Sequence, residues 1–587
     1  MMQSQQIPMT FQRYETKYML SPIMARKSLP GHLQMDEYGL DTICSLYYDT
    51  LDHQLIRRSL EKPVYKEKLR LRSYGPAKET SPIYVELKKK YEGIVYKRRE
   101  RMILSEAVKI TLNKTTATVS GSGAKADGST ITITEEGVYI VSGTLEDGQI
   151  IVDASDSDKV QIVLDGVHIN CETNAAIYVR EADKVFITLA ENSSNTLGGG
   201  NEYTQIDDNT VDGVIFSKSD LVCNGTGSLT IEADYKHGIV SKDDLVITGG
   251  TYKITAADNG ITAKDQLKIL DGSFDIDAAN SVVKAKNTDD TELGNIYIAG
   301  GVFTVKAEQD GFHATGSIVV DDGTITVNSG DDGSISGAAD GKEPPQMPPD
   351  TENGSDMQPS QDFDPENAPS GGNAPQNFDP GNAPSDGDAP QMMQGGPGGG
   401  GNSELYIKIT GGTLTVSADG DGLDSNGGLL VTGGTTIVYG PTSDGDSALD
   451  YDGSAIVSGG ILAAIGSAGM VESFDEDSTQ PVITYYCTET QSADTTITLT
   501  DSDGSALFTV TPEKAYASIV LTCPEMKLDA TYTLAAGTDN EEITLTDIIT
   551  TAGTRSVKTM SDPKGGKMPN NSDNKGTPPS KPNDTAE

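Results

Sequence analysis

The chain has 587 residues, with 87 acidic and 44 basic side chains and a formal net charge of −43 at pH 7. It contains no Trp and only 10 Phe but 64 Gly, a composition that disfavours a core of large aromatic side chains. Many short strands joined by tight turns fit this composition better. We expect no nucleic-acid partner for so acidic a chain, because like charges repel.

The first 106 residues differ from the rest in charge, with 19 basic and 13 acidic side chains against 25 basic and 74 acidic in the remainder. Strands are predicted at 11–20, 42–49, 64–73, 82–91 and 94–103, and a short helix near 21–29. Alternation places cations on one face of several of these strands. Such rows suit a polyanion, although they also fit an ordinary solvated sheet face.

A repeat of 22 residues organises much of the acidic part of the chain. Short runs rich in Val, Ile and Thr alternate there with turns that carry Gly and Asp. The paired turn residues begin at Gly249, Asp271, Gly300, Asp322, Gly411 and Gly433. One such unit cannot bury its own apolar stripe, whereas stacked units can. The period therefore predicts a mainly β fold, a right-handed parallel β-helix, in preference to an antiparallel sandwich.

Changes in composition divide the chain further. A first domain at 1–104 precedes a first part of the β-helix at 107–340, which contains no proline, and the last coils lie at 403–480. Residues 341–402 hold 12 of the 27 prolines, so we expect a disordered insert around which the coils continue to stack. The period is lost at 481–556, which we interpret as a β cap, and the tail at 557–587 is predicted to be disordered.

Aspartates accumulate at one corner of three successive predicted coils. Stacked coils lie about 4.8 Å apart, so these carboxylates should form one cluster. Calcium binds 6–8 oxygen ligands at about 2.3–2.6 Å, and such a cluster would supply them. The alternative is that Asp and Gly are simply good turn formers. The predicted metal ligands are Asp331, Asp332, Asp419, Asp421, Asp424, Asp444, Asp446, Asp450 and Asp452.

The stretches "GVYIVSGTLEDGQIIVDASDSDKVQIVLDGVHINCETNAAIYV" at 137–179 and "GVIFSKSDLVCNGTGSLTIEADYKHGIVSKDDLVITGG" at 213–250 carry a resemblance. With the later coils they resemble a bacterial family described as carbohydrate-binding domain-containing proteins, which is similar to β-helix pectate lyases. The resemblance implies a calcium-bearing β-helix that binds polysaccharide, either an acidic plant-type glycan such as polygalacturonate or cellulose, at the cell surface.

By the same resemblance, a cryptic polysaccharide lyase is an alternative function. Such enzymes combine calcium with a basic residue that removes a proton next to a carboxylate. Five lysines on the coils are candidates for that base, or else are solvated corner charges. They are Lys253, Lys264, Lys284, Lys286 and Lys306.

The stretches "FQRYETKYML", "KEKLRLRSYG" and "VELKKKYEGIVYKRR" resemble the VTC domain, the polyphosphate polymerase branch of the triphosphate-tunnel superfamily. The resemblance implies an antiparallel β tunnel whose cations hold polyphosphate or a nucleotide triphosphate. It assigns phosphate binding to Lys17, Arg70, Arg72, Lys88 and Lys97. The similarity stops near residue 101, so the tunnel is expected to be incomplete and the chain to be a fusion of two unrelated parts.

The N-terminus lacks the apolar segment of a signal peptide, and no run of 18 apolar residues would span a membrane. By resemblance, the first domain is expected in the cytoplasm and the β-helix outside the cell, so the sequence leaves the compartment open. Two classes of function remain: calcium-dependent polysaccharide binding, and an enzyme, either polymerase-like or a lyase.

Overall fold

The computed structural model describes four short segments before residue 104, namely 43–48, 65–74, 82–91 and 94–103, and then residues 107–336 and 405–554. These residues form strands and turns and contain no helix, so no helix among them could cross a membrane. The predictions for 11–20, 21–29, the insert and the tail lie outside the described residues. The chain forms two compact units, Met1–Thr304 and Val305–Glu587, which are described separately.

The N-terminal strands of the first unit form one antiparallel sheet. The strands predicted at 42–49, 64–73, 82–91 and 94–103 are confirmed, and they pair in chain order. Alternating apolar and charged residues in the sequence are typical of antiparallel strands such as these. Closure into a tunnel stays a prediction. The strands are β1 (Ile43–Tyr48), β2 (Tyr65–Tyr74), β3 (Pro82–Tyr91) and β4 (Ile94–Ile103).

The rest of the first unit is a parallel β-solenoid that begins with a few antiparallel strands, and the solenoid predicted from the period is confirmed. Each turn contributes three short strands, and each strand pairs with the equivalent strand of the next turn. The strands are β5 (Val108–Lys114), β6 (Thr116–Ser120), β7 (Ala124–Asp127), β8 (Thr130–Ile133), β9 (Gly137–Leu145), β10 (Gln149–Asp153), β11 (Lys159–Cys171), β12 (Ile177–Glu181), β13 (Lys184–Leu189), β14 (Ser194–Gly199), β15 (Gly213–Ser217), β16 (Asp220–Gly225), β17 (Ser228–Ala233), β18 (His237–Ser241), β19 (Leu245–Ile247), β20 (Thr251–Ala256), β21 (Ile261–Ala263), β22 (Gln266–Ile269), β23 (Ser273–Ala278), β24 (Val283–Ala285), β25 (Asn295–Ile298) and β26 (Val302–Ala307).

The core of this solenoid is a set of stacked side chains that point inward from each turn. Leu245 pairs with Leu267, which pairs with Ile296, and all three are buried. Aromatic rings stack in the same way, with centroid distances of 5.2 Å from Tyr252 to Phe274 and 4.5 Å from Phe274 to Phe303. The repeat therefore reflects side chains that return to the same buried positions in each turn. The handedness of the coil stays a prediction.

The second unit contains further turns of the same kind and an antiparallel end. Its strands are β27 (Phe312–Ala314), β28 (Ile318–Val320), β29 (Thr324–Ser329), β30 (Ser334–Ser336), β31 (Tyr406–Ile409), β32 (Thr413–Ala418), β33 (Leu423–Ser425), β34 (Gly428–Tyr439), β35 (Leu449–Tyr451), β36 (Ala455–Gly466), β37 (Val482–Gln491), β38 (Ile497–Thr500), β39 (Ala506–Val510), β40 (Tyr516–Thr522), β41 (Thr531–Ala536), β42 (Asp539–Thr544) and β43 (Ile549–Gly553).

Turns on either side of the insert stack directly, because β28 pairs in parallel with β31 and β29 with β32. Beyond the last turn the pairing becomes antiparallel, where β40 pairs with both β36 and β37. A second, four-stranded sheet of β38, β39, β41 and β42 packs there over one apolar cluster. The end of the last coil is thereby covered, as an open solenoid end requires.

Candidate functional site: a carboxylate ladder

One sheet of the second unit consists of very short strands, β27, β30, β33 and β35, that pair in parallel. The middle residues of β33 and β35 are Asp424 and Asp450, which lie opposite each other in the register. Equivalent positions in neighbouring parallel strands are about 4.8 Å apart. The stacking of successive turns has thus placed like charges directly opposite one another.

Further carboxylates lie beside this pair. Burial and, after it, the neighbouring Asp331 raise the pKa of Asp332 to about 8. Burial also raises the pKa of Asp424 to about 7, with Asp450 as the strongest charged contributor. The pKa of Asp421 is raised by burial to about 6 and that of Glu472 to about 7. We refer to Asp331, Asp332, Asp421, Asp424, Asp450 and Glu472 as the carboxylate ladder.

Backbone amides hold the ladder in place. The N–H of Asp421 donates to Oδ1 of Asp332 at 2.8 Å, and the N–H of Ser447 donates to Oδ1 of Asp421 at 2.6 Å. The N–H of Tyr451 donates to Oε2 of Glu472 at 3.1 Å. These bonds orient the carboxylates but carry only partial positive charge. No Lys or Arg within the described residues forms an ion pair with the ladder.

The other predicted ligands lie at the edge of the ladder or away from it. Asp446 raises the pKa of Asp331, and Asp452 raises that of Asp450. Asp444 is exposed in the loop before β35. Asp419 is exposed and forms an ion pair with Lys514, 2.9 Å from Oδ1 to Nζ.

Sequence reasoning missed two acidic residues of this region, Asp310 and Glu472. Asp310 precedes Gly311 just as Asp332 precedes Gly333, and it raises the pKa of Asp332. The 22-residue step from Asp332 back to Asp310 is a signal that could have found it. Asp310 also lies 2.9 Å from Nδ1 of His313. Glu472 lies between β36 and β37, outside the Gly and Asp turns that define the repeat, so the sequence carries no comparable signal for it.

The donor atoms of the ladder are of the type that binds a hard cation, but the side chains as positioned are too far apart to coordinate one. Every donor is a carboxylate oxygen, the type that calcium prefers. Gly420 leaves a space open between two of them, because a Cβ there would lie 2.7 Å from Oδ1 of both Asp331 and Asp332. As positioned, no three His, Cys, Asp or Glu side chains of the described part converge tightly enough to hold a metal. Ligation would therefore require side-chain rotation.

Two of the predicted lyase lysines have carboxylate partners within the first unit. Lys253 lies 3.8 Å from Asp275, and Lys264 lies 2.9 Å from Asp289. These pairs do not identify a catalytic base, and the lyase function stays a prediction.

The predicted phosphate ligands lie on the N-terminal sheet where they are described. Nη2 of Arg70 is 2.5 Å and Nε of Arg72 is 3.6 Å from Oε2 of Glu86, which is fully buried. Lys88 lies opposite Lys97 in the register of β3 and β4. Lys17 lies outside the described residues. Two of the predicted cations thus already share a buried carboxylate.

Comparison with known proteins gives matches to both parts of the chain. A family model described as carbohydrate-binding domain-containing protein matches residues 127–445, and a VTC domain model matches residues 12–136. A relative from Acetivibrio thermocellus, a carbohydrate-binding domain-containing protein, is 39% identical over 128 residues, or 22% of this chain and 45% of the relative. The match therefore spans less than half of that relative.

A solved structure described as the polysaccharide lyase-like protein from C. thermocellum, gadolinium derivative, is also similar. It is 32% identical, with 39% of this chain and 94% of that chain covered and a TM-score of 0.38.

Proposed function

The chain belongs to the family of carbohydrate-binding domain-containing proteins, and from this premise we propose that it binds an acidic polysaccharide through Ca²⁺ held by the carboxylate ladder. The observation that supports calcium is the ladder itself. Its carboxylates lie next to one another, and the pKa values of Asp332 and Asp424 are raised first by burial and then by the neighbouring negative charges. A divalent cation is the direct way to offset that repulsion.

Calcium would supply positive charge and coordination positions that protein oxygens do not fill. Asp332, Asp424 and Asp450 are the residues we expect to hold it, with Asp421 and Glu472 beside them. The chain is strongly acidic and should repel a polyuronate. A bound cation accessible from solvent would reverse the local sign of the field and accept sugar carboxylates. Calcium-dependent binding of an acidic glycan then follows from the ladder.

The test is retention of the full chain on insoluble polygalacturonate and on cellulose, with calcium or with EDTA. We expect calcium to increase retention on polygalacturonate, and EDTA to remove that increase. The double variant Asp424→Asn/Asp450→Asn should lose this calcium dependence. A matched control, Asp477→Asn/Asp503→Asn, removes the same charge from exposed turns of the second unit and should behave like the wild type. Equal retention in calcium and in EDTA would contradict the proposal.

A second candidate function belongs to the N-terminal sheet. The VTC match and the pairing of Arg70 and Arg72 with Glu86 support binding of an inorganic polyphosphate or a nucleotide triphosphate. Titration of the full chain with tripolyphosphate tests it. Saturable binding that Arg72→Gln weakens is expected, and an unchanged isotherm in this variant would contradict the assignment.

A further inference from the structure

Basic residues occupy one equivalent position in five successive turns of the first unit. The backbone N–H of Lys264 donates to the carbonyl of Ser241, and that of Lys286 donates to Ala263, each bond joining one turn to the next. The same bonds place the preceding members, because Lys242 donates to Ser217 and Lys218 to Val179. We refer to these residues as the basic column: Arg180, Lys218, Lys242, Lys264 and Lys286.

Three members of the basic column, Lys242, Lys264 and Lys286, line one side of an open cleft of about 400 Å³. The cleft is also lined by one residue from each of β18, β21 and β24, and these three lie in register: Val240, Thr262 and Lys284. A cleft of this volume falls within the range of small-ligand sites, about 300–1,000 Å³. The sheet thus provides a shaped site within the first unit.

The other side of the cleft carries polar groups and one carboxylate, that of Asp258. Nδ1 of His237 accepts the backbone N–H of Asn259 at 3.2 Å, and Nδ2 of Asn280 donates to Asp258 at 2.9 Å. Burial lowers the pKa of His237, which keeps the imidazole neutral near pH 7. Cations therefore line one side of the cleft, and amide and imidazole groups with the Asp258 carboxylate line the other.

One cation of the cleft has an exposed carboxylate partner that a ligand could replace. Lys264 lies 2.9 Å from Asp289, which is 76% exposed. Exposed ion pairs of this kind contribute little to stability, so the exchange of Asp289 for a ligand carboxylate is inexpensive. Lys242 lies 3.2 Å from Asp212, which is only 12% exposed, so we expect that pair to persist. A ligand with several carboxylates would gain further from the regular spacing of the column, about 4.8 Å per turn.

We infer that this cleft binds the uronate units of an acidic polysaccharide directly, with ligand carboxylates on the basic column and sugar hydroxyls on the polar wall. The inference rests on the proposed function for the choice of a glycan, but it requires no calcium. Ammonium groups select carboxylates over neutral sugars, because only a charged partner offsets their desolvation. The chain then has two separate binding sites for acidic polysaccharide, the carboxylate ladder with bound calcium and the cleft beside the basic column.

Titration of the full chain with trigalacturonate in EDTA tests the cleft alone. We expect saturable binding that the double variant Lys264→Gln/Lys286→Gln weakens by about tenfold or more. Lys264→Arg should retain it, because the charge is kept. The control variant Lys253→Gln/Lys268→Gln removes the same charge from strands outside the cleft and should bind like the wild type. The methyl ester of the trisaccharide should not bind.

Two results would overturn the inference. One is equal weakening in the lysine double variant and its control, which would assign the effect to net charge. The other is the absence of trigalacturonate binding in EDTA. Neither result bears on the calcium proposal, which the aspartate variants test separately on the insoluble polymer.

Discussion

Replacement of Asp424 by Asn removes one charge from the centre of the carboxylate ladder. The pKa of Asp424 rises from an ordinary value of 3.8 to about 7, first through burial and then through Asp450. A shift of about three units corresponds to about 4 kcal/mol against the ionised form. Because the side chain is only half-buried, solvent screening reduces this to about 2 kcal/mol.

The sign follows from proton linkage. The folded chain binds more protons at Asp424 than the unfolded chain between pH 3.8 and about 7. Stability in metal-free buffer therefore falls as the pH rises through this window. Asn carries no charge at any of these pH values. Asp424→Asn should raise the free energy of unfolding at pH 8 by about 2 kcal/mol and leave it nearly unchanged below pH 4.

Thermal unfolding of the full chain in EDTA, followed at pH 4 and pH 8, measures the difference. We expect Asp424→Asn to raise the Tm at pH 8 by roughly 4–8 °C. The exposed control Asp477→Asn should leave it unchanged. Calcium should reverse the order, because a ligand that binds the folded state stabilises the wild type more than a variant lacking the ligating oxygen. A variant that is no more stable than the wild type at pH 8 in EDTA would refute this reasoning.

Two further substitutions probe the packing that supports the sites. Gly420→Ala places a Cβ 2.7 Å from two ladder oxygens and should destabilise the chain by about 1–3 kcal/mol in thermal unfolding, whereas Gly445→Ala, with open space around it, should have little effect. Equal Tm values for Gly420→Ala and Gly445→Ala would show that a Cβ at position 420 does not crowd the ladder oxygens. Phe274→Ala removes the middle ring of an aromatic stack and should destabilise by about 3–5 kcal/mol, against less than about 0.5 kcal/mol for the exposed Val302→Ala. A Phe274→Ala variant as stable as the Val302→Ala variant would show that the aromatic stack does not stabilise the fold.

The repeat was readable from the sequence because one residue in each turn faces the same buried position. That regularity predicted the solenoid, the continuation of stacking past the insert, and the closeness of Asp332, Asp421, Asp424 and Asp450. It did not predict that Asp419 turns away to Lys514, because that partner comes from the strands beyond the last coil. The period of the repeat predicts which residues of successive turns stack, but it does not predict which residues from other parts of the chain contact them.

The basic column is less fully predictable from the sequence. Lys264 and Lys286 are predicted only as possible catalytic bases, although they lie 22 residues apart, which is also the spacing of the turns. Their shared position was visible in the sequence, but the cleft beside them was not. Its opposite wall comes from the loop residues before each short strand, and loop conformation follows from packing rather than from pattern.

Calorimetric titration of the full chain with Ca²⁺ at pH 7, repeated in buffers of different ionisation enthalpy, tests the ladder as a cation site most directly. Binding should release about two protons, because Asp332, Asp424 and Glu472 are partly protonated at this pH and must ionise to coordinate metal. Asp424→Asn/Asp450→Asn should abolish both the heat and the release. Calcium binding with no proton release, or binding that survives in this variant, would contradict the assignment of the cation to the carboxylate ladder.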